Sequence, residues 1–184
     1  MNRRVISVLL AVLCVIGSGA VLRFAEDHPW REYDHVNADV GEWVSIGQGG
    51  YIRITSVSLG RDMTKRGEVV GMSSGRFVQV EGEIRAEEQK LSGFNYELHS
   101  DGRTYQPIDE NGMITPPGHI SNYGAIFEVP EDALNDLTVT MYDVEYISGY
   151  TRRLRHTAKL SEQDLASSRL QKVELGSSEL QVIR

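Results

Sequence analysis

Residues 76–84 carry the clearest alternation of apolar and polar positions in the chain. From residue 78 onward, every second position is apolar or small: Val78, Val80, Gly82 and Ile84. The positions between them are polar: Gln79, Glu81 and Glu83. A period of two is typical of a half-buried strand, whereas a helix needs apolar residues three and four apart. The pattern therefore predicts a central strand of an all-β domain.

Other segments have the same period or the β-branched and aromatic composition of strands. They are residues 41–47, 51–59, 94–99, 103–106, 125–130, 138–146 and 152–160. Asp101-Gly102 lies between two aromatic-bearing segments, which is a strong hairpin signal. Arg152, Arg153 and Arg155 suit an exposed edge strand. Seven to eight short strands separated by turn residues predict a β-sandwich.

Two long connections interrupt these strands. Residues 60–75 are rich in charge and glycine, and residues 108–124 contain Asn111-Gly112 and Pro116-Pro117-Gly118. Long connections without regular structure are usually functional or mobile. We expect one helical turn in residues 131–137 and a C-terminal extension over residues 161–184. The sandwich itself is expected to span residues 40–160.

The N-terminus determines the expected location. Arg3 and Arg4 precede an apolar run, residues 5–22, which as a helix would reach about 27 Å, close to the thickness of a bilayer. The positive residues predict a cytoplasmic N-terminus and a single-pass anchor over residues 1–24, with the remaining chain outside. Residues 25–39 then form a polar linker. The alternative is a signal peptide cleaved near Ala20, which would release the same domain.

Composition excludes several classes of function. The chain of 184 residues has a net charge of −7 and a pI near 5.2, which argues against a nucleic-acid binder. Its one cysteine, Cys14, lies in the apolar run, so the remainder has no disulfide, thiolate site or cysteine nucleophile. The five histidines show no metal-ligand spacing, and we expect neither a metal nor another cofactor.

Residues 71–75, Gly-Met-Ser-Ser-Gly, match the spacing of a nucleophile elbow around Ser73. An elbow needs a helix after the serine, and here a strand is predicted instead. A turn is therefore preferred to a serine hydrolase, which stays as the alternative. The better candidates for binding are apolar and proline-stiffened side chains of the second long connection. They are Met113, Pro116, Pro117, His119 and Tyr123. Their competing role is simple packing of this connection against the sandwich.

Three segments of the chain resemble a known family. Residues 75–80, residues 96–105, and residues 127–130 with 134–139 are similar to the immunoglobulin-like domain of small extracytoplasmic bacterial proteins, typified by the mycobacterial immunoprotective extracellular protein. The resemblance covers residues 40–160 and implies an exported, non-enzymatic immunoglobulin-like sandwich. The chain lacks the cysteine pair and core tryptophan of antibody-type domains.

The expected function is a membrane-tethered module that binds a protein or a cell-envelope component. It would do so without catalysis, using loops displayed on a rigid sandwich. A structural subunit of a membrane complex, held by the N-terminal helix, is the second alternative.

Overall fold

The computed structural model describes residues 34–47, 49–112, 114–134, 136–143, 152–158, 162–169, 171–176 and 179–183. All of them belong to the unit Asp34–Arg184. The predicted anchor at residues 5–22, the cleavage site near Ala20 and most of the predicted linker lie outside the described residues. Within the described ranges, no helix has the length and apolar character that crossing a bilayer requires.

The described residues form twelve strands, one 3₁₀ turn (Glu131–Ala133) and one short helix, α1 (Glu162–Ser167). The strands are β1 (Asp34–Asn37), β2 (Val44–Gly47), β3 (Gly50–Lys65), β4 (Glu68–Ala86), β5 (Phe94–Ser100), β6 (Arg103–Tyr105), β7 (Asp109–Asn111), β8 (His119–Val129), β9 (Leu137–Asp143), β10 (Arg152–Ala158), β11 (Lys172–Val173) and β12 (Leu180–Val182). The predicted all-β class is confirmed, and the 3₁₀ turn lies where one helical turn was expected.

The strands form two sheets. Sheet A has the order β1-β10-β9-β5-β6, and sheet B has the order β11-β3-β4-β8-β12. In sheet B, β2 also pairs with β3, and β7 pairs with β8. Most neighbours are antiparallel, whereas β1 joins β10 and β11 joins β3 in parallel.

The strand β4 is central, as its alternation predicted. It pairs with β3 on one side and with β8 on the other. Val78, Val80 and Ile84 are fully buried, whereas Glu81 and Glu83 are half-buried on the opposite face. In this part of β4 one face meets the core and the other is less deeply buried, which is the physical cause of the period of two.

The main core lies between the two sheets. Sheet B contributes Val80 and Phe127, and sheet A contributes Tyr96 and Met141, all with essentially no exposed surface. The sheets meet at Gly82, where a Cβ would lie 2.6 Å from the hydroxyl oxygen of Tyr96. Only a glycine leaves room for this contact, because the Tyr96 hydroxyl lies directly against this position of β4.

The predicted hairpin at Asp101-Gly102 is confirmed. Leu98 pairs with Tyr105 and Ser100 with Arg103, so the two turn residues connect β5 directly to β6. Both adopt positive φ, 48° at Asp101 and 69° at Gly102. This is the conformation that the favoured two-residue hairpin turn requires at its central positions.

The first predicted loop, residues 60–75, is wrong. β3 continues to Lys65 and β4 begins at Glu68, so only Arg66 and Gly67 form the turn. The second predicted loop, residues 108–124, is also largely strand, because it contains β7 and the first half of β8. In both regions, cross-strand pairing outweighs the local preference of glycine and charged residues for turns.

The edges of the sandwich also differ from the expectation. β10 lies between β1 and β9, so its arginines are not on an edge. The reason is that Asp34–Asn37, part of the predicted linker, adds a parallel strand outside β10. Two further strands, β11 and β12, come from the predicted C-terminal extension and pair with β3 and β8. These additions bring the number of strands above the expected seven to eight.

Candidate functional site

The end of the β3–β4 hairpin extends past the rest of sheet B. β8 pairs with β4 only from Arg76 to Ala86, whereas β4 continues to Glu68. Beyond that point β4 pairs with β3 through Met72↔Asp62, and the last pair is Glu68↔Lys65. We call this part of the hairpin, residues 61–72, the ribbon.

The ribbon joins the sheet through an irregular segment of β4. The register shifts between Gly60 and Asp62, so that four residues of β4, 73–76, lie opposite one residue of β3. Gly75 packs so closely that a Cβ there would lie 2.2 Å from the carbonyl oxygen of Val129. Bulges of this kind bend a strand and increase its twist. The irregular segment lies where the pairing of β4 with β8 ends and the ribbon begins.

Three large apolar side chains of the ribbon face solvent. Val69 is 48% exposed, Val70 53% and Met72 76%. In the described part of the chain, no strand pairs with residues 68–72 on the side away from β3. Exposed apolar side chains beside unpaired backbone N–H and C=O groups are the features that recruit a further strand. Among the described residues, the ribbon is the surface that most resembles an interaction site.

The C-terminal segment fixes the position of the ribbon. The Glu174 carboxylate accepts hydrogen bonds from the Thr64 hydroxyl at 2.8 Å and from the Gly67 N–H at 3.2 Å. These hydrogen bonds, the one from Thr64 first, lower the pKa of the Glu174 carboxyl. Val173 of the same segment packs with Phe77 and Ile126 on the outer face of sheet B. The ribbon is therefore braced on one side and open on the other.

The predicted binding residues do not form one surface loop. Met113 lies outside the described residues. Pro116 and Pro117 precede β8, and Pro117 is exposed. His119 and Tyr123 are strand residues of β8. The Tyr123 ring is half-buried and packs on Phe94 and Tyr96, with ring centroids 6.2 Å apart in each pair.

The structure places Ser73 inside β4 and not at a strand-to-helix turn. The residue is 3% exposed, and its hydroxyl donates to the Glu128 carboxylate at 2.7 Å. The same oxygen accepts the Gly75 N–H at 3.0 Å, which supports the irregular segment. These contacts give Ser73 a structural role at the base of the ribbon.

No group of three or more histidine, cysteine, aspartate or glutamate side chains capable of holding a metal occurs among the described residues. A hollow of about 140 Å³ lies on the outer face of sheet B under Leu175 and Gly176, and Glu81 and Asn122 contribute to its lining. Two larger hollows lie elsewhere at the surface, one of about 440 Å³ beside Gln106 and Glu110 and one of about 320 Å³ beside Asn37 and His156.

Sequence reasoning missed the ribbon because its residues were assigned to a loop. Val69 and Val70 are β-branched and follow a two-residue Arg66-Gly67 turn, which is a strand signal. The charged neighbours Arg61, Asp62, Lys65 and Glu68 obscured it, although charged side chains are common on strands exposed on both faces.

Comparison with known proteins gives little further information. No protein-family model and no curated protein sequence matches the chain. In a search of solved structures, the chain is similar to a lipoprotein candidate of Bacillus subtilis, YcdA, with a TM-score of 0.46 and 9% sequence identity. The alignment covers 65% of this chain and 39% of that protein. A similarity of this extent supports no conclusion about function.

Proposed function

We propose that this chain is an exported, membrane-tethered binding module that acts through contacts and not through catalysis. The sandwich is proposed to be immunoglobulin-like, as the resemblance of residues 40–160 implies. The tether is proposed to be the apolar run at residues 5–22, with Arg3 and Arg4 on the cytoplasmic side. Cleavage near Ala20 would give a secreted form of the same module.

The observation that supports a binding role is the ribbon with its exposed Val69, Val70 and Met72. Burying apolar surface stabilises a complex by about 25 cal/mol per Å² before the costs of association are subtracted. Lys65, Arg66 and Glu68 lie at the turn, at the end of the hairpin next to these side chains. An apolar centre with a charged rim is the common composition of a protein-protein interface.

The proposed partner is a protein that contributes an extended segment to the free edge of β4. Main-chain hydrogen bonds would supply affinity, and alternate side chains of that segment would contact Val70 and Met72. An added strand would also satisfy the backbone groups of residues 68–72. The exposed residues near Pro117 lie at the other end of sheet B, beside the Ala86↔His119 pair.

Photo-crosslinking on intact cells tests this function. A benzophenone amino acid placed at Met72 of the full chain should give a protein adduct of defined mass. Val182 is the matched control, because it is a 67% exposed apolar strand residue of the same sheet, at β12. Adducts that are equally frequent at both positions, or absent at Met72, would overturn the proposal.

Export is tested separately. In a Cys14→Ser background, a cysteine introduced at the exposed position Arg103 should react with a membrane-impermeant maleimide on intact cells. Labelling only after lysis would contradict an external domain, whatever the result at the ribbon.

A further inference from the structure

The outer face of sheet A combines arginine, histidine and hydroxyl side chains. Strand alternation turns Val139, Met141 and Leu154 into the core, so their neighbours point outward. The side chains on the outer face are His35 from β1, Arg153 and Arg155 from β10, Thr140 and Tyr142 from β9, and Asn95, Glu97 and His99 from β5. We call this set the arginine face.

Thr140 lies in the middle of the arginine face. It pairs with Arg155 on one side and with Glu97 on the other. The residue is 1% exposed, yet its hydroxyl oxygen has no hydrogen-bond partner among the residues that the structure describes. The Nε of Arg155, on the neighbouring strand, is also buried, and no described residue is its partner. Leaving buried polar groups unsatisfied is costly, so two in adjacent positions are suited to a ligand that reaches both.

The charges of this face leave Arg155 uncompensated. Within the described part of the chain, Arg155 forms no ion pair. Asp39 and Glu42 line the same hollow of about 320 Å³ as Arg155, and two other carboxylates have partners of their own. Asp34 lies 3.6 Å from Arg152, and Glu97 accepts the Tyr142 hydroxyl at 2.6 Å and contacts His99 at 3.2 Å.

Two further observations locate the positive charge. The Arg153 guanidinium lies 4.1 Å from the centre of the Tyr142 ring, which holds it against the face. The pKa of His35 is lowered, first by partial burial and then by Arg155 and Arg153, with Asp34 acting in the opposite sense. His35 therefore experiences an excess of positive charge, in a protein whose net charge is −7.

We propose that the arginine face binds an oxyanion, a phosphate or carboxylate group, through Arg155 and Thr140. The guanidinium fork matches the two oxygens of either group, and the Thr140 hydroxyl supplies one more donor once Arg155 turns toward the anion. Arg153 lies beside the site and adds charge. This site is on the sheet opposite to the ribbon and does not depend on the function proposed for the ribbon.

Titration of the full chain in non-ionic detergent with inorganic phosphate, with acetate and with chloride at equal ionic strength tests the proposal. NMR signals of the His35 ring should shift in a saturable manner with phosphate or acetate and not with chloride. The stronger of the two responses identifies the source as a phosphate or a carboxylate group. A chloride response equal to both would overturn the site, because it would reflect screening alone.

Variants separate binding from structure. Arg155→Met should weaken the saturable response about tenfold or more, since it removes charge-assisted hydrogen bonds. The affinity of Arg155→Lys should lie between those of wild type and Arg155→Met, because lysine keeps the charge and lacks the guanidinium fork. Arg103→Met, an exposed arginine on β6 of the same sheet, is the matched control. Unchanged affinity in both Arg155 variants would overturn the proposal.

Thr140→Val gives an independent measurement. Removing a hydroxyl that has no partner should leave the unfolding temperature unchanged or higher, while the anion affinity falls several-fold. A lower unfolding temperature with unchanged affinity would assign the hydroxyl a structural role and contradict its part in the site.

Discussion

The side-chain amide of Gln79 pairs with the backbone of Glu174 through two hydrogen bonds. Gln79 Oε1 accepts the Glu174 N–H at 2.9 Å, and Gln79 Nε2 donates to the Glu174 carbonyl at 3.0 Å. The Gln79 side chain thus makes the two hydrogen bonds that the backbone of a neighbouring strand would otherwise make. It does so where the C-terminal segment crosses the outer face of sheet B. Gln79 is 7% exposed, so water does not substitute for these bonds.

Gln79→Ala should therefore lower the free energy of unfolding by about 2 kcal/mol, because it leaves two backbone groups without partners. Urea unfolding of the full chain in detergent measures the change. Gln106→Ala, at an exposed glutamine, is the control and should have no effect beyond about 0.5 kcal/mol. Equal effects of the two substitutions would contradict a bracing role for Gln79.

The bracing of the ribbon should depend on pH. The folded state lowers the pKa of Glu174 below its ordinary value of 4.5, so its stabilising contribution is present above that value. The contribution is lost as the pH falls through the lower, folded-state pKa. The wild-type chain should thus exceed Glu174→Gln in urea midpoint at neutral pH, and the difference should disappear in acid.

Glu179→Gln, at an exposed glutamate of the same segment, is the control for that comparison. A difference between wild type and Glu174→Gln that stays constant in acid would show that the carboxylate charge is irrelevant to the ribbon.

Gly82→Ala should be strongly destabilising. Its Cβ would lie 2.6 Å from the Tyr96 hydroxyl and 2.7 Å from the Arg53 carbonyl oxygen, and overpacking of this kind costs about 1–3 kcal/mol or more. Gly71→Ala on the same strand is the matched control, since no atom lies closer than 3.6 Å to its Cβ. Thermal unfolding measures the melting temperatures of Gly82→Ala and Gly71→Ala. Similar values for the two variants would contradict the close contact between the sheets.

Tyr142 should titrate far above an ordinary tyrosine. Burial first, and then the hydrogen bond and charge of Glu97, raise the pKa of Tyr142 to about 12. Glu97→Gln should bring this pKa closer to 10.0, the ordinary value. NMR of ¹³Cζ-labelled tyrosine measures the Tyr142 pKa in the wild type and in Glu97→Gln. Glu88→Gln, at an exposed glutamate, is the control. An unchanged Tyr142 pKa in Glu97→Gln would mean that burial alone sets it.

The sequence predicts those parts of the fold in which local pattern and tertiary burial agree. β4 alternates because one face meets the core, and Asp101-Gly102 adopts the positive φ angles that its residue types favour. The short strands β1, β11 and β12 carry no such signal. They have two to four residues each, and their strand conformation depends on the neighbours with which they pair.

The candidate sites could not be predicted from the sequence either, and the reason is a different one. Residue types indicate which side chains can bind, but register decides which of them meet. Thr140 and Arg155 are neighbours only because β9 and β10 pair at that register. His119 and Tyr123, by contrast, had suitable residue types for a binding loop, and pairing of β8 with β4 assigned them to a sheet. Local sequence does not contain this information.

The hairpin of β3 and β4 belongs both to the ribbon and to the centre of sheet B, and β4 runs as one strand through the irregular segment between the two. Tension on the ribbon would act along these strands and would load the hydrogen bonds between β4 and β8 in shear, where many must break together. A partner pulling there would meet the mechanical resistance of the central sheet and not that of a peripheral loop.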